Sequence, residues 1–135
     1  MATKIFVNLP VKDLNRSMEF FSQLGYTFNP NFTNEAAACM IISEDIYTML
    51  VTEPYYKTFI TKEVSDASKT SECIVCLSAN SRQDVDTIIS KAVKAGATTP
   101  KDPQDHGFMY SHGFQDLDGH LWEYAYMDMS AIPQQ

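Results

Sequence analysis

The sequence predicts an α+β fold of two tandem βαβββ modules, and two observations predict it. An apolar strand followed by an amphipathic helix that stops at a glycine occurs early in the chain and again in its second half. After each such pair the chain turns strand-rich, with turn signals at Glu44-Asp45 and at Asp116-Leu-Asp-Gly119 that divide those stretches into hairpins.

In the first strand, residues 5–11, Ile5, Val7, Leu9 and Val11 alternate into an aliphatic face suited to pack under a helix. Phe6 and Asn8 then face the other way. The first helix is expected over residues 12–24, with Asp13 as its N-cap, Gly25 as its stop, and Leu14, Met18, Phe21 and Leu24 as its core stripe. Strands follow over residues 26–29, 36–43 and 46–52. Residues 53–70 contain Pro54, a short helix around residues 55–60 and a polar stretch that reads as a mobile connector. The second module repeats the order. It has a strand over residues 73–79, a helix over residues 81–95 with Val85, Ile88, Ile89, Ala92 and Val93 on its apolar face, and strands over residues 97–99, 107–115 and 120–127. Module 1 therefore spans about residues 1–53, the connector 54–70, and module 2 about 71–135, within one domain of residues 1–135.

Composition narrows the function. A chain of 135 residues with 44% hydrophobic content can bury an ordinary globular core. Its formal charge of −7 argues against nucleic acid and against an anionic membrane surface, both of which need clustered Lys and Arg. The first residues lack the apolar run of a signal peptide, so a cytoplasmic protein is expected. Three cysteines, an odd number, fit a reducing compartment. Cys73 and Cys76 form a Cys-x-x-Cys inside a strand-like run, where positions three apart point to opposite faces, so they read as buried structural cysteines.

One carboxylate stands out. In the last strand, alternation sets His120, Trp122, Tyr124 and Tyr126 on one face and Leu121, Glu123, Ala125 and Met127 on the other. Glu123 is thus a charge among apolar neighbours, a situation that calls for a partner, a proton or a metal; a place at an exposed edge, or a nearby Lys or Arg, is the plainer alternative. Tyr110, His112 and Phe114 share one face of the preceding strand and Met109, Ser111 and Gly113 the other, and alternation alone leaves open which set faces a ligand. His112 is the best acid–base candidate because imidazole titrates near neutrality, although a strand histidine also serves as hydrogen-bonded scaffold. His106 lies in a loop beside Asp105, and His120 alternates away from Glu123.

Leu-Pro-Val-Lys-Asp-Leu-Asn-Arg-Ser-Met-Glu-Phe-Phe near the start and Asp-Leu-Asp-Gly-His-Leu-Trp-Glu near the end, carried on a duplicated βαβββ chain, resemble the vicinal oxygen chelate superfamily. That superfamily holds the glyoxalase I, bleomycin-resistance and extradiol-dioxygenase proteins. The motifs look most like its lactoylglutathione-lyase-related branch. The resemblance implies modules that curl as a curved mixed sheet around one cleft, a homodimer, and a small-molecule ligand. It also implies a divalent metal, among nickel, manganese, zinc and iron, where the ligand set is intact, and no metal where it is not. The terminal ligand position, four residues after the turn glycine, is Glu123, which matches. The opening one, seven residues before the first helix-starting aspartate, is Phe6, which cannot ligate. The interior positions fall on Met49 or Leu50 and on Cys73 or Ile74.

Two readings follow. The first is a glyoxalase-related lyase or isomerase acting on a carbonyl compound, with Glu123 as base or residual metal ligand and His112 or Tyr110 as proton donor. The second is a metal-free binding protein resembling bleomycin-resistance dimers, which take a ligand by stacking and charge. In both, Phe6, Asn8, Met49 and Tyr110 are expected to touch the ligand. An extradiol dioxygenase fits less well, because the positions for its two histidines carry Phe6 and an apolar or Cys residue.

Overall fold

A computed structural model describes residues 2–131 of the chain. The chain divides into two compact units, Met1–Asp66 and Ala67–Gln135.

Unit 1 runs β1 (Ile5–Val11), α1 (Leu14–Gln23), β2 (Thr27–Phe28), β3 (Ala37–Ile41), β4 (Ile46–Thr52) and the single-turn α2 (Glu53–Tyr56). Its sheet has the order β1-β4-β3-β2, with β1 parallel to β4 and the other pairs antiparallel. The Asp13 carboxylate accepts the Arg16 N–H at 3.1 Å and starts α1 as an N-cap should. Leu14, Ser17, Phe20 and Phe21 are the buried side of α1, which lies against β3 and β4. Phe20 takes a core place, whereas the expected Met18 is only half-buried. Leu9 and Val11 are buried as the aliphatic face of β1 requires, but Ile5 at the strand's start is exposed.

Thr48 in β4 pairs with Val7 and Met40 and is fully buried, and its hydroxyl finds no hydrogen-bond partner among the described residues. A buried hydroxyl without a partner destabilises a fold, while a methyl of the same shape does not. Thr48→Val is therefore expected to stabilise unit 1 by about 1 kcal/mol. Urea unfolding followed by far-UV circular dichroism checks this, and a lower midpoint would show that the hydroxyl is satisfied after all.

Unit 2 repeats the plan with β5 (Ile74–Ser78), α3 (Arg82–Lys94), β6 (Gln104–Asp105), β7 (Met109–Gln115) and β8 (Leu121–Met127), in the order β5-β8-β7-β6. Here β5 is parallel to β8 and the remaining pairs are antiparallel. Ser81 caps α3 by accepting the Asp84 N–H at 3.0 Å. Val85, Ile89 and Ala92 are its buried residues, and α3 packs on β7 and β8. Phe114 stacks on both Trp122 and Tyr124 in the core below. Val93, expected on the buried face, is 47% exposed, because it falls at the margin of the stripe set by Val85, Ile89 and Ala92.

Residues 97–99 were expected to be a strand, but they contribute one bridge, Thr98 to Gln115, and the edge strand is β6 instead. Pro100 and Pro103 supply no N–H, so the chain bulges away from β7 between the bridge and β6. Cys73 and Cys76 are also corrected: both are exposed, and Cys39 alone of the three cysteines is buried. Cys76 sits on the side of the β5–β8 pair opposite Trp122 and Tyr124, which is not the side that α3 covers. Each sheet is open, with β1 and β2 or β5 and β6 as its edges. Among the described residues no helix is long and apolar enough to cross a membrane.

Candidate functional site

Glu123 lies near the middle of β8, between Cys76 of β5 and Gly113 of β7 in the register. Its carboxylate accepts the Cys76 thiol at 3.7 Å. Partial burial, the Glu123 charge and this hydrogen bond together push the thiol above its ordinary pKa, which keeps Cys76 protonated and makes it a donor rather than a nucleophile. Gly113 places no side chain beside Glu123 on the other flank. Against these residues opens a pocket of about 270 Å³ with Ile74, Leu121 and Glu123 in its lining and Pro100, Lys101 and Asp102 contributing from the bulge before β6. Most of that surface is apolar, with Glu123 as the carboxylate supplied by the sheet itself.

The strand register also decides which face of β7 carries which residue. Tyr110, His112 and Phe114 pair with Tyr126, Tyr124 and Trp122, on the face that α3 covers. Tyr110 donates its hydroxyl to Asp86 of α3 at 2.6 Å, and Arg82 lies over its ring. Tyr110 therefore points away from Glu123. The His112 Nε2 lies 3.0 Å from the Lys101 carbonyl oxygen. A carbonyl only accepts, so Nε2 is the protonated nitrogen, and His112 ties the bulge that walls the pocket to β7. It touches the same pocket as Glu123 but alternates to the other side of the strand.

In unit 1, Phe6 and Asn8 pair with Tyr47 and Met49, so these four side chains share one face of the sheet. Leu50 is buried on the other face, so of Met49 and Leu50 it is Met49 that shares the face of Phe6 and Asn8. The Phe6 and Tyr47 rings stack at 4.8 Å and 11°, and Phe6 is 50% exposed. In unit 2 the β5 residue in register with Glu123 is Cys76, and Cys73 precedes the strand. Sequence reasoning passed over Cys76; the register of parallel strands, which fixes such neighbours, is not written in either strand alone.

These positions offer a phenyl ring, a thioether, a protonated thiol and one carboxylate. Among the described residues no three His, Cys, Asp or Glu side chains gather in a way that could hold an ion. A hard divalent cation wants several oxygen or imidazole donors, and the set here does not supply them.

Residues 3–43 match the model of the bleomycin resistance protein-like N-terminal family. Among solved structures, a hypothetical protein from S. aureus superposes with a TM-score of 0.78 at 23% identity, over 93% of this chain and 95% of that one. A glyoxalase/bleomycin resistance protein/dioxygenase family enzyme from Burkholderia phytofirmans does so with a TM-score of 0.79 at 16% identity, over 93% and 99%. This is the vicinal oxygen chelate fold. A fosfomycin resistance protein from Mesorhizobium loti also matches, with a TM-score of 0.69 at 14% identity, over 96% of each chain. No curated protein matches the chain. Within this fold the chain sets the Glu123 carboxylate on the unit 2 sheet and the stacked Phe6–Tyr47 pair on the unit 1 sheet.

Proposed function

We propose that the chain is a small-molecule binding protein of the bleomycin-resistance kind, and that the unit 2 pocket takes an organic ammonium with an apolar body. The observation that carries this is Glu123, a carboxylate over an apolar pocket with a thiol as its hydrogen-bonding neighbour. A ligand ammonium would gain a charge-assisted hydrogen bond there while its body covers Ile74 and Leu121. The family match over residues 3–43 supports the same reading.

Trp122 is the chain's single tryptophan and belongs to the pocket lining, so its fluorescence reports occupancy. Phenethylammonium is expected to bind saturably and 2-phenylethanol, its neutral counterpart, more weakly. Glu123→Gln should weaken phenethylammonium binding by about tenfold to a hundredfold, the worth of one charge-assisted hydrogen bond, and leave the alcohol unchanged. Equal binding of the ammonium by both proteins would remove Glu123 from the site.

The position of Glu123 on an open sheet face also supports the other reading, a glyoxalase-related enzyme that uses this carboxylate as a base toward a carbonyl substrate. Turnover of a 2-oxoaldehyde thiol adduct that vanishes in Glu123→Gln would favour it over binding alone.

A further inference from the structure

Pro100, Lys101, Asp102 and Gln104 wall the unit 2 pocket, yet this wall has little backbone support of its own. It bulges away from β7 and is fastened at one end by the Thr98–Gln115 bridge, whose two N–H to carbonyl bonds measure 3.1 and 2.8 Å. At the other end it runs into β6, an edge strand of only two residues, Gln104 and Asp105. So short a strand brings few ladder bonds to hold the wall in place.

A cluster of side chains on the α3 side of the sheet supplies the missing hold. Arg82, the first residue of α3, grips Asp105 with both arms of its guanidinium, Nη1 to Oδ2 at 2.8 Å and Nη2 to Oδ1 at 3.0 Å. Nη2 also donates to the Gly107 carbonyl at 3.0 Å, and the Gly107 N–H donates to Asp105 Oδ1 at 3.0 Å. The guanidinium lies 5.2 Å from the centre of the Tyr110 ring, and that ring is itself fixed by the hydroxyl bond to Asp86. A lone exposed ion pair contributes little, but a bidentate fork tied into further bonds is the geometry in which such a pair counts. A helix dipole disfavours a cation in the first turn, so Arg82 stands where α3 alone would not favour it. The Arg82 fork, and after it the Gly107 N–H, hold the Asp105 carboxyl down at about 2, so the pair stays charged through the neutral range.

We infer that Arg82 is a positioning residue for the unit 2 pocket: by clamping Asp105 and Gly107 to α3 it fixes the wall of residues 100–104 and sets how fast a bound molecule leaves. Arg82, Asp105 and Gly107 lie outside the pocket lining, so they reach a ligand only through the wall. What they control is the shape of the pocket and not its charge. The hold therefore applies to charged and neutral occupants alike, whereas Glu123 acts on a cation alone. The inference rests on the unit 2 pocket being a binding site, as proposed above.

The test uses the full chain with phenethylammonium and 2-phenylethanol, their dissociation followed by stopped-flow Trp122 fluorescence. Arg82→Ala and Asp105→Asn should each speed the release of both molecules by about threefold to tenfold, and the double variant should be no faster than the faster single one, because the two residues act as one clamp. Arg82→Lys keeps the charge without the fork and should recover part of the difference. Arg82 is exposed, so its variants should keep the circular dichroism spectrum of the parent. The free chain gives a readout that needs no ligand. Amide hydrogen exchange at His106, bonded to the Met109 carbonyl, and at Gly107 should be faster in Arg82→Ala, while Thr98 and Gln115 at the far end of the wall keep the parent rate. A parent that binds neither molecule removes the pocket reading, and the exchange rates still decide whether Arg82 holds the wall. The inference is overturned if release from Arg82→Ala matches the parent, if only phenethylammonium leaves faster, if the effects of the two single variants add in full, or if exchange at His106 and Gly107 is unchanged.

Discussion

Gly119→Ala is expected to destabilise unit 2 by about 3–5 kcal/mol. Gly119 ends the turn between β7 and β8 with φ +94°, a conformation that disfavours any L side chain. A Cβ there would also stand 2.6 Å from the Ala67 carbonyl and 2.7 Å from the Ser68 nitrogen. Those are backbone atoms, so relief requires the connector to move rather than a side chain to rotate. Gly25 provides the control: its φ is +104°, but nothing lies within 4 Å of the added Cβ. Gly25→Ala should lose only about 1–2 kcal/mol, the conformational part. Urea unfolding of both variants separates the two contributions, and equal losses would show that the Ala67–Gly119 approach imposes no strain.

Asp116→Ala should lose about 2–4 kcal/mol. The Asp116 carboxylate is buried at the start of the same turn and accepts three hydrogen bonds. Oδ1 receives the backbone N–H groups of Asp118 and His120, each at 2.9 Å, and Oδ2 receives the indole N–H of Trp122, also at 2.9 Å. Burial nonetheless raises the carboxyl above the ordinary aspartate pKa, with His120 and these donors opposing it. The sign for stability follows. A raised folded-state pKa means that the folded chain holds the proton more tightly than the unfolded one. The titration of Asp116 therefore adds most stability below the ordinary aspartate pKa, and that part is lost as pH rises through the folded-state value. In Asp116→Ala the donors lose their acceptor, whereas Asp116→Asn keeps the two backbone bonds but turns an NH₂ toward the indole. The expected order of stability is wild type, then Asn, then Ala, read from the Trp122 fluorescence transition in urea; an Asn variant as stable as the parent would take the indole bond out of the account.

Much of the fold was legible from single residues. Asp13 and Ser81 start the helices, and the β3–β4 and β7–β8 hairpins fall where the turn signals put them. Local chemistry decides such features, so a sequence displays them. What it hid depends on neighbours remote in the chain. The side of β7 that faces α3 is fixed by Tyr110 reaching Asp86, a contact across 24 positions, and Cys76 meets Glu123 across 47. The proline-broken bulge at residues 99–103 likewise moved the edge strand to β6. For the candidate site, Glu123 was readable because a lone charge interrupts an apolar alternation. Its environment was not, since that rests on register.

The most direct test of the central claim, a binding protein rather than a metal-dependent enzyme, is elemental analysis of the purified chain after incubation with nickel, manganese, zinc and iron, beside Glu123→Ala. The account predicts no stoichiometric metal in either protein. One ion per chain in the parent, lost in Glu123→Ala, would contradict it and make Glu123 the anchor of a metal site.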